Sequence, residues 1–239
     1  MAPHAQRAGH KAVQLSEHPR HVLSHYAKRK RWNTSADKLL NALSGLIYIT
    51  SRSGELLAFG RRNWDAFACK NSGQDAVSNN LLGRNLFDFI QGEEVRAVYM
   101  SSHATLLEDD QARISFEYRC DAPDRERRML MSVSTVVCDG GETAILYQSQ
   151  ILDERTRVPL PILSAENYKR PYNIENRVSI CSFCAKIAWP LAAGGARQDW
   201  ISADEYYAEG GSSLVGLNFG ICPECFEKSQ NMWRQNPPR

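Results

Sequence analysis

Three stretches in the middle of the chain carry the strongest structural signal: RISFEYRC at residues 113–120, RMLMSVSTVVC at residues 128–138 and TAILYQSQILD at residues 143–153. Apolar and polar residues alternate in the first stretch, and all three are rich in β-branched and aromatic side chains, a pattern typical of strands with one buried face. The breaks between them contain Asp, Pro and Gly, which favour turns. The sequence therefore predicts three consecutive antiparallel strands.

The residues before these strands predict a hairpin followed by helices. Two apolar runs, Leu46–Thr50 and residues 55–59, flank a Gly-containing turn. Residues 61–69 place large apolar side chains at helical spacings, and a longer helical pattern runs over Glu93–Glu108. The order of two strands, helices and three strands predicts an α+β domain of about 120 residues. Its strands would form one antiparallel sheet.

The order of these segments resembles the PAS sensory family over residues 46–152. The resemblance is carried by Gly54-Glu55 at the hairpin turn, NWDAFA at residues 63–68, GRNLFDF at residues 83–89 and FEYRCD at residues 116–121. It implies a five-stranded antiparallel sheet with helices on one face, which together enclose a ligand pocket, and a role in signal sensing or dimerisation. It implies no particular ligand, because one fold serves many functions.

Flavin and haem are the two cofactors that such a pocket could hold. Light-sensing relatives use a Cys in a short Asn-Cys-containing helix, and the absence of any cysteine between Cys69 and Cys120 disfavours a flavin. Haem needs an axial ligand, for which His103 on the long helix is the candidate. Because His103 lies off the apolar stripe that contains Val95 and Val98, an ordinary, partly exposed histidine is the favoured interpretation. A small organic ligand, haem or no ligand at all therefore stay open.

The C-terminal part of the chain contains a repeated cysteine motif. Its members are Cys181 with Cys184 and Cys222 with Cys225. Each Cys-x-x-Cys lets a tight turn present two sulfurs to one ion, and two such turns complete a tetrahedral thiolate site. The closed set predicts structural zinc, with an iron–sulfur cluster or a dithiol redox pair as alternatives. By contrast, Cys120 and Cys138 lie in predicted strands, and we expect them to be packed thiols.

The 37 residues between the two motifs must fold so that the motifs can meet. Ser202 and Glu205 have the spacing of a capping box, which predicts a helix there. Residues 179–225 resemble a cysteine-rich tail that follows PAS or response-regulator domains in bacterial signalling proteins. That tail has Ser-His-Gly-Ile-Cys before its second motif, whereas this chain has NFGIC at residues 218–222. A role that needs the histidine is therefore not expected, but four cysteines suffice for a metal.

The formal net charge of +2 is unevenly distributed. The first 36 residues contain seven basic residues and one acidic residue, which leaves 22 basic and 26 acidic residues in the rest. Four consecutive basic residues, at positions 28–31, precede Trp32. This predicts a flexible basic arm that could contact the phosphates of a nucleic acid. The predicted parts are the arm (1–36), a PAS-like sensor domain (37–153), a linker (154–178) and a zinc-binding module (179–233).

No apolar stretch approaches the length that a membrane-spanning helix needs, and the first residues lack the apolar segment of a secretory signal. We therefore expect a cytoplasmic protein with no membrane association. In that compartment thiols stay reduced, which favours metal binding over structural disulfides.

These features predict a non-enzymatic bacterial signalling protein. The PAS-like part would sense a signal or form a homodimer, and the zinc module would dock a protein partner. The sequence contains no Walker loop, no kinase motifs and no arrangement of nucleophile and base. Two alternatives stay open: a nucleic-acid-binding regulator that uses residues 1–36, and a thiol redox sensor that uses the four cysteines.

Overall fold

The computed structural model of the chain describes residues 35–109, 112–138, 140–168, 177–189 and 199–235. The predicted basic arm lies outside the described residues, apart from its last two positions. The predicted contact of that arm with nucleic acid therefore stays a prediction.

The described part begins with a short helix and a hairpin. These are helix α1 (Ala36–Ala42), strand β1 (Leu46–Thr50) and strand β2 (Leu56–Phe59). The two strands pair antiparallel, with Tyr48 opposite Phe59. Gly54 at the turn has a φ of 89°, and a Cβ there would lie 2.6 Å from the ring of Phe87. The predicted hairpin is confirmed, and its glycine is needed both for the turn and for close packing.

Helical segments follow the hairpin. They are α2 (Arg61–Lys70), a 3-10 turn (Gln74–Ala76), α3 (Ser78–Leu81), a second 3-10 turn (Leu86–Asp88) and α4 (Glu93–Glu108). Helix α4 has 16 residues and the bounds that its periodicity predicts. Its buried residues are Val95, Val98, Ser102, His103 and Leu106. Within the described ranges, no helix is both long and apolar enough to cross a membrane.

The three strands that end the N-terminal half complete one sheet. They are β3 (Arg113–Arg119), β4 (Arg125–Val137) and β5 (Thr143–Thr156). The strand order is β2-β1-β5-β4-β3, and every neighbouring pair is antiparallel. Helix α4 contacts β3, β4 and β5, and α2 contacts β1. The predicted α+β fold with a five-stranded antiparallel sheet is confirmed.

Aromatic side chains fill the space between the sheet and α2. Tyr48 of β1 stacks on Tyr147 of β5 with ring centroids 4.7 Å apart. Trp64 of α2 meets Tyr48 edge-on at 5.6 Å and contacts Phe59 at 4.9 Å. The Trp64 indole nitrogen donates a hydrogen bond of 2.8 Å to the carbonyl of Ala76. This cluster buries large apolar surfaces while it satisfies the indole donor, as buried tryptophans require.

A second, smaller sheet forms the C-terminal part. Its elements are β6 (Arg177–Cys181), β7 (Ile187–Trp189), β8 (Asp199–Ile201), α6 (Ala203–Ala208), β9 (Gly216–Gly220) and α7 (Pro223–Gln235). The strand order is β8-β7-β6-β9, with β6 and β9 parallel. The predicted capping box opens α6, because Ser202 Oγ accepts from Glu205 N at 3.2 Å and Glu205 Oε2 accepts from Ser202 N at 2.7 Å.

The segment predicted as a linker has regular structure where it is described. Strand β5 continues to Thr156, and a 3-10 turn (Pro161–Leu163) and helix α5 (Ala165–Tyr168) follow. Ile162 and Leu163 are buried in the apolar core of the C-terminal sheet. Asn167 is buried, and its amide donates to the carbonyls of Ile162 at 3.0 Å and Ser213 at 2.7 Å. These residues pack as part of the C-terminal module, although the domain boundaries themselves stay predictions.

Candidate metal centre and adjoining cavity

The structure brings the two cysteine motifs together in one cluster. The sulfur atoms of Cys181, Cys184, Cys222 and Cys225 all lie within 4.8 Å of one another. Cys184 Sγ and Cys222 Sγ are 3.7 Å apart. Sulfurs bound to tetrahedral zinc at ~2.3 Å are separated by about 3.8 Å, so this spacing fits a thiolate-bound ion. The residues therefore fit a closed metal site with four sulfur ligands.

The sheet topology explains why the two motifs meet. Strands β6 and β9 are parallel neighbours, with Cys181 opposite Gly220. The first motif turns back directly after β6, where the Ala185 N–H donates to the Cys181 carbonyl at 2.9 Å. The second motif leaves β9 at the same end, and Cys225 lies in the first turn of α7. Parallel pairing thus places both turns at one edge of the sheet.

Backbone amides orient the sulfurs of the cluster. The Cys222 N–H donates to Cys181 Sγ at 3.4 Å, and the Cys225 N–H donates to Cys222 Sγ at 3.5 Å. The pKa of Cys181 is lowered by a hydrogen bond from the Cys184 thiol and by backbone N–H donors, including that of Cys222. Such donors favour the thiolate, which is the form of cysteine that binds metals.

Three charged residues form the outer rim of the cluster. Glu224 pairs with Lys186 at 3.2 Å and with Lys228 at 2.7 Å. The hydrogen bonds from Lys228 and Lys186 lower the pKa of Glu224. All three side chains are exposed, so their contribution to stability is small. Both lysines thus have a carboxylate partner beside the cysteines.

His103 lies in the core instead of on the helix surface. Its relative exposure is 4%, so the predicted partly exposed position is wrong. Nε2 lies 2.9 Å from the Arg52 carbonyl oxygen and Nδ1 lies 3.0 Å from the Tyr147 hydroxyl. Burial lowers the pKa of His103. Because both ring nitrogens have partners, this histidine does not fit an axial haem ligand. The spacing of four from Tyr99 and three from Leu106 could have placed it on the buried face.

The two strand-end cysteines differ from each other. Cys120 follows β3 and is partly buried, and burial raises the pKa of its thiol. Cys138 follows β4 and is exposed, so the prediction of a packed thiol is wrong there. The reason is that β4 ends at Val137, which is itself 65% exposed at the end of the sheet.

A cavity of about 370 Å³ lies between the five-stranded sheet and the cysteine module. Its PAS-like side includes Tyr99 of α4 and Phe116 of β3, and its other side includes Phe183 and Phe219. Phe183 stands between Cys181 and Cys184 in the first motif, and its ring centroid lies 5.8 Å from that of Phe116. Sequence reasoning missed this role of Phe183, because its partner is distant along the chain.

No family model matches the chain, and no curated protein matches it. Several solved structures are similar to it. One is the PAS domain of an HTR-like protein from Haloarcula marismortui, with a TM-score of 0.36 and 14% identity, covering 56% of this chain and 97% of that chain. The PAS domain of Bordetella pertussis BvgS has a TM-score of 0.34 and 16% identity, covering 50% of this chain and 85% of that chain. A sensory box sensor histidine kinase from Vibrio cholerae has a TM-score of 0.30 and 11% identity, covering 55% of this chain and 99% of that chain.

Proposed function

We propose that this chain is a non-enzymatic signalling protein in which a PAS-like half is joined to a zinc-stabilised module that docks a protein partner. The observation that carries the proposal is the position of the four cysteines. Their sulfurs lie within 4.8 Å of one another in a module whose first motif packs against the PAS-like sheet through Phe183 and Phe116. A metal at these cysteines would therefore affect both halves.

Zinc is the metal that the donor set supports best. Four thiolates leave no open position for substrate or water, which is the arrangement of structural zinc sites. Zinc would cross-link the turn after β6 to the turn after β9 and the start of α7. The C-terminal module has a small core, with eight buried members in its apolar cluster among the residues that the structure describes. A core of this size benefits from a metal, so zinc binding would contribute to its folding.

Direct packing supports signal transfer between the halves. Gly92 at the start of α4 has a φ of 84°, and a Cβ there would lie 2.0 Å from the Phe219 carbonyl oxygen. Phe219 lies in β9, three residues before Cys222. Helix α4 thus starts against the strand that leads into the second cysteine motif. If the start of α4 moved, it would push directly on β9, and a movement of β9 would push on α4.

Exposed apolar side chains support a protein partner or a homodimer. Phe226 on α7 is 42% exposed, and Leu214 before β9 is 67% exposed. Leu39 of α1 and Leu57 of β2 are likewise exposed in the PAS-like half, at 44% and 46%. We assign the protein to the cytoplasm, where four reduced thiols would bind a metal. Light scattering coupled to size-exclusion chromatography tests dimerisation, and a strict monomer would remove that part of the proposal.

A thiol redox sensor is the competing function for the same four residues. The close approach of Cys184 Sγ and Cys222 Sγ, at 3.7 Å, favours it as well. However, Lys186 and Lys228 both pair with Glu224, which reduces their ability to activate a thiolate. Treatment with hydrogen peroxide in the presence of a zinc-sensitive dye separates the two functions. Rapid zinc release at micromolar peroxide would favour the redox sensor.

Metal analysis with an absorption spectrum of the purified full-length protein tests the zinc assignment. We expect one zinc per chain and no visible absorption band from iron–sulfur or haem. Cys222→Ser should lose the zinc, whereas Cys138→Ser, which replaces an exposed cysteine outside the cluster, should keep it. Iron in place of zinc, or zinc retained fully by Cys222→Ser, would overturn the assignment.

A further inference from the structure

The cavity between the two halves is bounded largely by aromatic rings. Tyr99 meets Phe116 edge-on at 5.7 Å, and Phe183 contacts Phe116 from the module side. At the other side, Tyr168 stacks on Phe219 at 5.6 Å with ring planes 19° apart. The volume of about 370 Å³ lies in the usual range for small-molecule sites. Its size and flat aromatic walls suit a small ring system.

The charge in this cavity is already neutralised. Among the described residues that line the cavity, Arg119 is the charged one. Its guanidinium binds both carboxylate oxygens of Asp121, at 3.0 and 2.8 Å, and pairs with Glu126 at 2.9 Å. A charged ligand would have to compete with these pairs or enter without a partner, which is costly in an apolar site. The cavity therefore selects an uncharged molecule.

One lining residue, Tyr99, has a hydroxyl that can orient such a molecule. Among the described residues, that hydroxyl makes no hydrogen bond. The nearby Tyr118 hydroxyl differs, because it is hydrogen-bonded to the Ser149 hydroxyl. A tyrosine hydroxyl in apolar surroundings favours a ligand with an acceptor atom, because donating a hydrogen bond to that atom satisfies the otherwise unpaired O–H.

We propose that this cavity binds an uncharged, planar aromatic molecule with one hydrogen-bond acceptor, and that a metal at the four cysteines is needed for tight binding. The inference rests on the proposed function, since it assigns the site of sensing and the contact that links it to the metal. The link is Phe183, which forms a wall of the cavity and lies between two of the four cysteines. Metal release frees the turn that holds this ring, so the wall is lost.

Fluorescence titration with prodan tests the inference. Prodan is an uncharged, planar naphthalene ketone whose emission shifts to the blue in apolar sites. We expect saturable binding of one prodan per zinc-loaded chain. Removal of zinc with a chelator should weaken the binding about tenfold, a typical coupling between two sites, and added Zn²⁺ should restore it. By reciprocity, saturating prodan should tighten zinc binding by the same factor.

Two phenylalanines adjacent to cluster cysteines make a matched pair. Phe183→Ala should weaken prodan binding about tenfold, because it removes an aromatic wall. Phe226→Ala should leave binding unchanged, because Phe226 is an exposed residue of α7 outside the lining. Tyr99→Phe provides a second test outside the metal module. It should weaken prodan binding several-fold and leave binding of N-phenylnaphthylamine, which lacks a carbonyl, unchanged.

The outcomes separate this inference from the proposed function. Stoichiometric zinc without saturable prodan binding overturns the cavity assignment and leaves the zinc module intact. Equal prodan affinity with and without zinc, or equal effects of Phe183→Ala and Phe226→Ala, overturns the link to the metal. If Phe183→Ala loses its zinc, the Tyr99→Phe comparison decides the cavity assignment. Absence of zinc from the purified protein overturns the proposed function, and prodan binding to that protein still tests the cavity.

Discussion

The Nδ1 atom of His103 lies 3.0 Å from the Tyr147 hydroxyl, and the direction of this hydrogen bond follows from the contact of the other ring nitrogen. Nε2 faces the Arg52 carbonyl at 2.9 Å, and a carbonyl can only accept a hydrogen bond. Nε2 therefore carries the proton in the neutral ring, and the Tyr147 hydroxyl donates to Nδ1. The chain of hydrogen bonds joins α4, the sheet and the turn after β1.

Tyr147→Phe should destabilise the protein by roughly 1–3 kcal/mol, the usual cost of a buried acceptor that loses its donor. The affected acceptor is His103 Nδ1, which is closed off from water by the surrounding core. Urea unfolding at neutral pH measures the change. Tyr168→Phe is the matched control, since Tyr168 is 39% exposed and should change stability by less than about 0.5 kcal/mol. Equal effects of the two substitutions would contradict the assigned hydrogen bond.

The same histidine predicts how stability depends on pH. Burial lowers the pKa of His103 in the folded state, so the unfolded chain takes up the proton first as pH falls. Stability should therefore be fully present above the unfolded pKa of about 6.5 and decrease as the pH falls below it. Unfolding free energies at pH 7.5 and 5.5 should differ more for the parent protein than for His103→Gln. If the parent protein became more stable relative to His103→Gln when the pH is lowered from 7.5 to 5.5, the prediction would be refuted.

Local patterns predicted much of the PAS-like half and the start of one helix in the C-terminal module. The bounds of α4 follow from its helical spacing, the strand runs were found from their alternation, and the capping box at Ser202 and Glu205 marked the start of α6. In each case the informative residues are close together in the sequence. The bounds of β4 and β5 were predicted less well, because charged residues continue both strands at the end where they pair with each other.

Sequence reasoning did not predict the contacts between the two halves, or those that attach the predicted linker to the C-terminal core. Phe183 meets Phe116, and the amide of Asn167 donates to the Ser213 carbonyl at 2.7 Å. Each contact joins residues that are far apart in the chain and carry no common motif. The polar, Pro-containing segment around Asn167 therefore looked like a linker, although its hydrogen bonds tie it to the C-terminal core. Long-range packing, which one sequence does not encode as a local pattern, decides these positions.

Two glycines with a similar φ allow a test of the contact between α4 and β9. Gly92 has a φ of 84° and Gly210 a φ of 85°, but the ψ of 125° at Gly92 lies outside the left-handed helical region, so alanine meets backbone strain there in addition to any clash. A Cβ at Gly92 would lie 2.0 Å from the Phe219 carbonyl oxygen, whereas a Cβ at Gly210 has nothing within 4 Å. Gly210→Ala should cost about 1 kcal/mol, and Gly92→Ala should cost at least about 2 kcal/mol more. Thermal or urea unfolding measures both, and equal losses would contradict the close approach.

Glu154, near the end of β5, forms a salt bridge with a buried cation. The Arg127 side chain is 3% exposed, and its guanidinium is hydrogen-bonded to Glu154 and, at 2.8 Å, to Asn71 Oδ1. Arg125 also donates to Glu154, at 2.9 Å. The hydrogen bond from Arg127 is the main cause of the lowered pKa of Glu154. The carboxylate therefore balances a charge that has little access to water.

Glu154→Gln should destabilise the protein by roughly 2 kcal/mol, because it removes the negative charge from a buried guanidinium. Glu117→Gln is the matched control, since Glu117 pairs with Arg128 at 3.7 Å with both side chains more than half exposed. Exposed pairs contribute about 0–1 kcal/mol, so we expect little change there. The Glu154 contribution should be present above the unfolded pKa and be lost as the pH falls through the lowered folded pKa. Between about pH 6 and pH 3, the unfolding free energy should therefore fall more steeply with decreasing pH for the parent protein than for Glu154→Gln. Equal slopes for the two proteins would show that the pair does not stabilise the fold.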